Sequence, residues 1–137
     1  MSDAILGSAK LDHVGIAADN AELPLADLLG GEVSHVKRMP SGVAVGRFGP
    51  GLALELVVPA GTETPIDRFL ERRGPGLHHI ALRVDEPLDG LLPRLRAEGI
   101  DVVGEIEAAS DGRPAVFLHP SSTGGVLVEL IEGDRPA

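Results

Sequence analysis

KLDHVGIA (residues 10–17) and GLHHIALR (residues 76–83) are two versions of one segment. Aligned, His13 falls on His79, Leu11 on Leu77 and Val14 on Ile80. A second pair follows further along each half. LALELV (residues 52–57) superposes on VLVELI (residues 126–131), which sets Glu55 on Glu129. Each half of the chain therefore opens on a histidine-bearing strand and closes on a glutamate-bearing one. The period is about half the chain, so this is duplication of one module and not a solenoid.

Between these anchors the punctuation is that of a repeated β-α-β-β-β unit. Leu11–Ala18 alternates as a strand. Asp19 or Asn20 can cap a short helix that reaches Leu29 and is stopped by Gly30-Gly31, with Pro24 tolerated only in the first turn. Val33–Met39, Val43–Phe48 and Leu52–Val58 read as strands, separated by Pro40-Ser41-Gly42 and Gly49-Pro50-Gly51. Thr64-Pro65 reads as an N-cap followed by proline at the first helical position, with Ile66, Phe69 and Leu70 on one face. The second half repeats the order: strand Leu77–Val84, helix Pro87–Glu98, then strands Asp101–Ile106, Pro114–Leu118 and Gly125–Ile131. Pro93 is expected to kink or split that helix. Residues 1–9 read as a mobile leader and residues 134–137 as a tail. The expected organisation is a single domain over residues 10–137, with modules 10–59 and 76–132 joined by a linker helix at about 64–73.

Strand alternation separates two faces. Leu11, His13, Gly15 and Ala17 share one side, as do Leu77, His79, Ala81 and Arg83. Ala53, Glu55 and Val57 share a side, and so do Leu127, Glu129 and Ile131. The opposite sides are richly apolar and should pack on the helices. Carboxylates among valines and leucines in mid-strand are costly unless paired, protonated or metal-bound. Two imidazoles and two carboxylates suit a divalent cation such as Zn, Co, Mn or Ni, with positions left for water or substrate. Singly, a strand histidine is more often a core residue and a strand glutamate a solvated one. The recurrence at equivalent positions lifts His13, Glu55, His79 and Glu129 above that background. His78 should face the helix side, His35 the surface. His119, in Phe117-Leu118-His119-Pro120, reads first as structural and second as a substrate contact.

Composition removes whole classes. Cysteine is absent, which excludes disulfides, thiolate sites and cysteine nucleophiles. Aromatics are 2%, with no Trp or Tyr, and the net charge is -9, so neither base stacking nor phosphate neutralisation is available for nucleic acid. The same charge disfavours an anionic membrane. No apolar run approaches membrane-spanning length, and no basic region precedes an apolar one at the N-terminus, so a cytoplasmic protein is expected. The glycine turns lack the spacing and lysine of a phosphate loop, and Ser121-Ser122-Thr123 lacks a nucleophile elbow.

With duplicated modules and a His-Glu/His-Glu set, the chain resembles the vicinal oxygen chelate superfamily (glyoxalase, bleomycin resistance, extradiol dioxygenase). Within it, Thr64-Pro65-Ile66 through Gly74, Gly76–Ala81, Gly112–Pro120 and Thr123–Leu130 look like the methylmalonyl-CoA epimerase family. The resemblance implies an α+β fold: two tandem βαβββ modules forming an open barrel-like eight-stranded sheet around one metal site, in a homodimer. It implies one divalent metal (Co, Zn, Mn or Ni) on His13, Glu55, His79 and Glu129, and an acyl-CoA substrate. Glu129 would double as ligand and base, acting on a proton α to a thioester and a carboxylate through a metal-stabilised enolate. Some family members carry a glutamate where Val45 stands here, which leaves a second acid/base unassigned. Ser121 stands where a lysine commonly follows His-Pro. Arg83, Arg113, Arg72 and Arg73 are the cations read as near the substrate, with Arg83 favoured because it shares the His79 face. His119 joins Arg83 and Arg113 as a candidate substrate contact. The competing readings are a glyoxalase-type lyase or isomerase with the same metal set, and a metal-free binding protein of the bleomycin-resistance type. An iron dioxygenase fits less well, since its triad uses two His and one carboxylate.

Overall fold

A computed structural model describes residues 4–61 and 63–136. Among them the elements run β1 (Lys10–Ala17), α1 (Pro24–Leu28), β2 (Ser34–Arg38), β3 (Val43–Phe48), β4 (Leu54–Pro59), α2 (Pro65–Arg73), β5 (Gly76–Val84), α3 (Leu88–Ala97), β6 (Val102–Ala108), β7 (Pro114–Leu118) and β8 (Val128–Glu132). This is βαβββ twice, with α2 between, an α+β fold. The eight strands are ordered β2-β3-β4-β1-β5-β8-β7-β6 in one sheet.

The duplication reaches the level of register. β1 pairs with β4 in parallel, setting Gly15 opposite Glu55. β5 pairs with β8 in parallel, setting Ala81 opposite Glu129. In both, the glutamate stands opposite the residue two beyond the histidine, so His and Glu share a face. The outer antiparallel pairs also match. The β2–β3 ladder shifts register between Ser34 and Lys37, and the β6–β7 ladder between Val103 and Glu107. Such bulges bend an edge and disrupt its hydrogen-bonding row.

The chain packs as two units, one spanning His13–His78, the other combining the chain up to Asp12 with everything from His79 onward. In the first, Ile16, Phe48 and Leu56 bury one sheet face against Ala26 of α1. On the other face Ala17, Val45 and Val57 pack with Ile66 of α2, while Phe69 and Leu70 close over them. In the second unit Val84, Val116, Leu118, Val128 and Leu130 pack against Leu88, Leu91, Leu92 and Leu95 of α3. The apolar periodicity of α3 produces that stripe at i, i+3, i+4 and i+7.

Several expectations are corrected. The first helix starts at Pro24, not at an Asp19 or Asn20 cap. Asn20 instead accepts a hydrogen bond from the Glu22 amide at 2.8 Å, a local turn that precedes the helix. Pro24 then occupies the first helical position, where its missing N–H costs nothing. α3 runs through Pro93 without splitting. Its four leucines bury the same face before and after the proline, and that packing holds the helix together. The leader is anchored in part, because Ile5, Leu6 and Ala9 lie against the α3 core; residues 1–3 fall outside the described residues. β8 begins at Val128, later than expected, because Gly124 and Gly125 both adopt positive φ in the preceding turn. No helix among the described residues is long and apolar enough to cross a membrane.

Candidate functional site

His13 is carried by β1 and Glu55 by β4, and both are buried. The parallel register brings His13 Nε2 to 3.5 Å from Glu55 Oε2. The second copy does the same. His79 Nε2 lies 3.6 Å from Glu129 Oε1, and both residues are again buried. Phe117, opposite Glu129 on β7, meets the His79 ring edge-on with centroids 5.5 Å apart. That contact fixes the imidazole plane.

These His–Glu separations are longer than a charge-assisted hydrogen bond, which closes to about 2.7–2.9 Å. They are near the gap between two ligands of one cation, because bonds of about 2.1 Å at tetrahedral or octahedral angles set ligand atoms roughly 3–3.4 Å apart. Within one unit His79 and Glu129, and within the other His13 and Glu55, each present an imidazole nitrogen and a carboxylate oxygen at that spacing. Imidazole nitrogens with carboxylate oxygens and no thiolate are the donors that Zn, Co, Mn and Ni accept. The donor set fits a divalent ion.

Around these pairs the cations sort by what they touch. Arg113 is buried, and its guanidinium grips Asp12 with two hydrogen bonds, Nη1 to Oδ1 at 2.8 Å and Nη2 to Oδ2 at 3.1 Å. Nε donates to Asp111 Oδ2 and Nη1 also to the Gly133 carbonyl. Burial alone would lower its pKa, but the hydrogen bonds and charges of Asp12 and Asp111 outweigh it and hold the guanidinium above its ordinary value. Arg113 is thus engaged within the protein. Arg83 is more open and reaches Asp134 at 3.3 Å. Arg73 lies over the Phe69 ring, and Arg72 is exposed at the end of α2. The tail is also tied, since Arg135 Nη2 donates to the Asp12 carbonyl.

His119 is exposed, and its Nδ1 accepts from the Ser121 amide at 3.1 Å, capping a short 3-10 turn. That is the structural use anticipated for it. His78 meets Phe69 of α2 edge-on at 5.1 Å, and burial pushes its imidazole pKa down. His35 is exposed on β2. Val45 is buried on β3 and carries no proton-transfer group.

One charged residue of this face was missed by the sequence reading. Arg47 is buried on β3, directly across from Glu55, with Nη2 3.5 Å from Glu55 Oε2. Its signal was available: a charge inside the strand Val43–Phe48, at the parity of Val45. The reasoning that singled out Glu55 applies to it equally.

Residues 12–117 match the family model of the glyoxalase/bleomycin resistance protein/dioxygenase superfamily. The chain belongs to that superfamily. Within the superfamily it is similar to the mitochondrial methylmalonyl-CoA epimerase of Dictyostelium discoideum, 36% identical over 134 residues, covering 93% of this chain and 80% of that protein. The crystal structure of methylmalonyl-CoA epimerase from Mycobacterium tuberculosis superposes with a TM-score of 0.82 at 31% identity, covering 98% of this chain and 93% of the other. A methylmalonyl-CoA epimerase solved with methylmalonyl-CoA and NH4+ superposes with a TM-score of 0.78 at 28% identity, covering 91% and 94%.

Proposed function

We propose that this superfamily member is a metal-dependent epimerase of methylmalonyl-CoA or a similar 2-substituted malonyl-type acyl-CoA, acting as one domain over residues 10–137. The observation that carries it is the twinned His–Glu pair, at 3.5 and 3.6 Å on matching registers, in a chain similar to methylmalonyl-CoA epimerases over most of its length. His13, Glu55, His79 and Glu129 are the residues assigned to the ion. Bound there, a divalent cation supplies a Lewis acid that stabilises negative charge developing on substrate oxygens.

The protein's own groups then have defined tasks. Glu129 takes the C2 proton, whose acidity comes from the flanking thioester and carboxylate. Inversion requires a proton returned to the opposite face of the planar enolate. Val45 has none to give, and no second acid/base is assigned among the residues that hold the ion. The buried apolar surroundings keep water from the carbanionic centre and strengthen each charge interaction. Arg83, half-buried on the His79 strand, is the cation assigned to the substrate's anionic end.

The test is solvent deuterium incorporation at C2 of methylmalonyl-CoA by metal-reconstituted protein, followed alongside inversion of configuration. Exchange and inversion are expected in the wild type, and both should fall by about 10²-fold or more in Glu129→Gln. Metal bound without any exchange would retire the epimerase reading.

A further inference from the structure

Arg47 is 7% exposed, yet among the described residues its Nη1 has no hydrogen-bond partner. Leaving a buried charged donor unmet is costly, and such groups persist where function uses them. Its other terminal nitrogen approaches Glu55 only to 3.5 Å. The protein elsewhere builds a closed arginine–carboxylate fork, Arg113 on Asp12 at 2.8 and 3.1 Å. Arg47 makes no such fork. It is placed beside Glu55 without being consumed by it.

The chemistry of the missing acceptor follows from the donor. A guanidinium presents parallel N–H groups that match the two oxygens of a carboxylate, whereas an ester carbonyl takes one bond. When Glu55 turns its charge to a cation, the positive charge of Arg47 is left for an anion. Resting on the malonyl-type reading above, we infer that Arg47 receives the free carboxylate of the substrate. Arg47 is thereby the residue that separates 2-substituted malonyl thioesters from simple acyl thioesters. Its cross-strand position opposite Glu55 puts this contact next to a residue assigned to the ion.

The experiment is calorimetric titration of metal-loaded wild type, Arg47→Gln and Arg47→Lys with methylmalonyl-CoA and with propionyl-CoA, which lacks the carboxylate. Metal content is measured on each protein. Wild type should prefer methylmalonyl-CoA. Arg47→Gln should weaken methylmalonyl-CoA by about 30-fold or more, as loss of a buried charge partner does, with propionyl-CoA affinity and metal content unchanged. Arg47→Lys should recover part of the loss, since it keeps the charge without the fork. Should Arg47→Gln not fold, Arg47→Lys carries the test with a loss confined to methylmalonyl-CoA. Equal weakening of both esters, or metal lost with discrimination intact, would overturn the inference and make Arg47 a support for Glu55. Wild type that exchanges C2 deuterium but shows no preference would overturn Arg47's role and leave the epimerase standing. Absence of both exchange and methylmalonyl-CoA binding in wild type would remove both.

Discussion

Asp12 and Arg113 are separated by 101 positions and meet with both side chains nearly inaccessible. Removing one partner of such a pair strands the other charge in a low-dielectric setting, at a cost of about 3–5 kcal/mol. Arg113→Met should therefore lose that much stability in urea unfolding, whereas Asp12→Leu combined with Arg113→Met should lose far less, because apolar replacement of both removes the stranded charge. Equal losses in the single and double variants would show that Arg113 acts by packing alone. The contact gives Arg113 a structural partner that the sequence does not announce. In sequence it stands two residues after Asp111, with nothing to announce Asp12, and long-range pairing is invisible to local pattern. His13, Glu55, His79 and Glu129 were legible for the opposite reason. Each interrupts an apolar strand at a repeated position, and repetition is a property of the sequence itself. Arg47 interrupts a strand too but has no twin in the second copy, so the repeat could not flag it.

Among the elements, α2 is the one whose local chemistry is most complete. Thr64 precedes Pro65, and the Thr64 amide donates to Asp67 Oδ2 at 2.7 Å, closing a capping box at the helix start. Gly74 ends the helix with φ at 72°. Ile66 projects from its first turn onto Ala17, Val45 and Val57, on the sheet face that carries Glu55. Asp67→Ala should cost about 1 kcal/mol of stability, the usual worth of a cap, read as a shift in the urea midpoint with unchanged slope. A neutral result would mean that Ile66 and Phe69 hold the helix without its cap. This helix was legible because cap, proline and stop all agree on the same ends. α1 was less so: Asn20 makes a turn that competes with capping, and the helix that follows is only five residues long. Pro93 does not split α3, because Leu88, Leu91, Leu92 and Leu95 pack one face of the helix on both sides of it.

Across the whole chain, the proposed function would link the duplication to one shared ion. A site built from a single His–Glu pair would leave the second copy unexplained, whereas the proposed site draws one pair from each copy of the repeat. That difference is measurable as stability. A ligand that binds only the folded protein stabilises it by RT ln(1 + [L]/Kd), about 2.7 kcal/mol when its free concentration is 100 times Kd. For a chain of this length that corresponds to a rise of roughly 5–10 °C in the unfolding temperature. Adding Co, Zn or Mn to metal-free protein should produce such a rise with at least one of them, and chelation should reverse it. The decisive comparison uses His13→Ala and His79→Ala, scanned with and without the same metal at the same concentration. If one ion is shared, each variant should lose most of the metal-induced rise by itself, because each removes a donor from the same ion. If each pair held its own ion, either variant would keep about half of it. Retention of the full rise in His13→Ala would confine the metal to His79 and Glu129, and the duplicated pair would then need a role other than ligation.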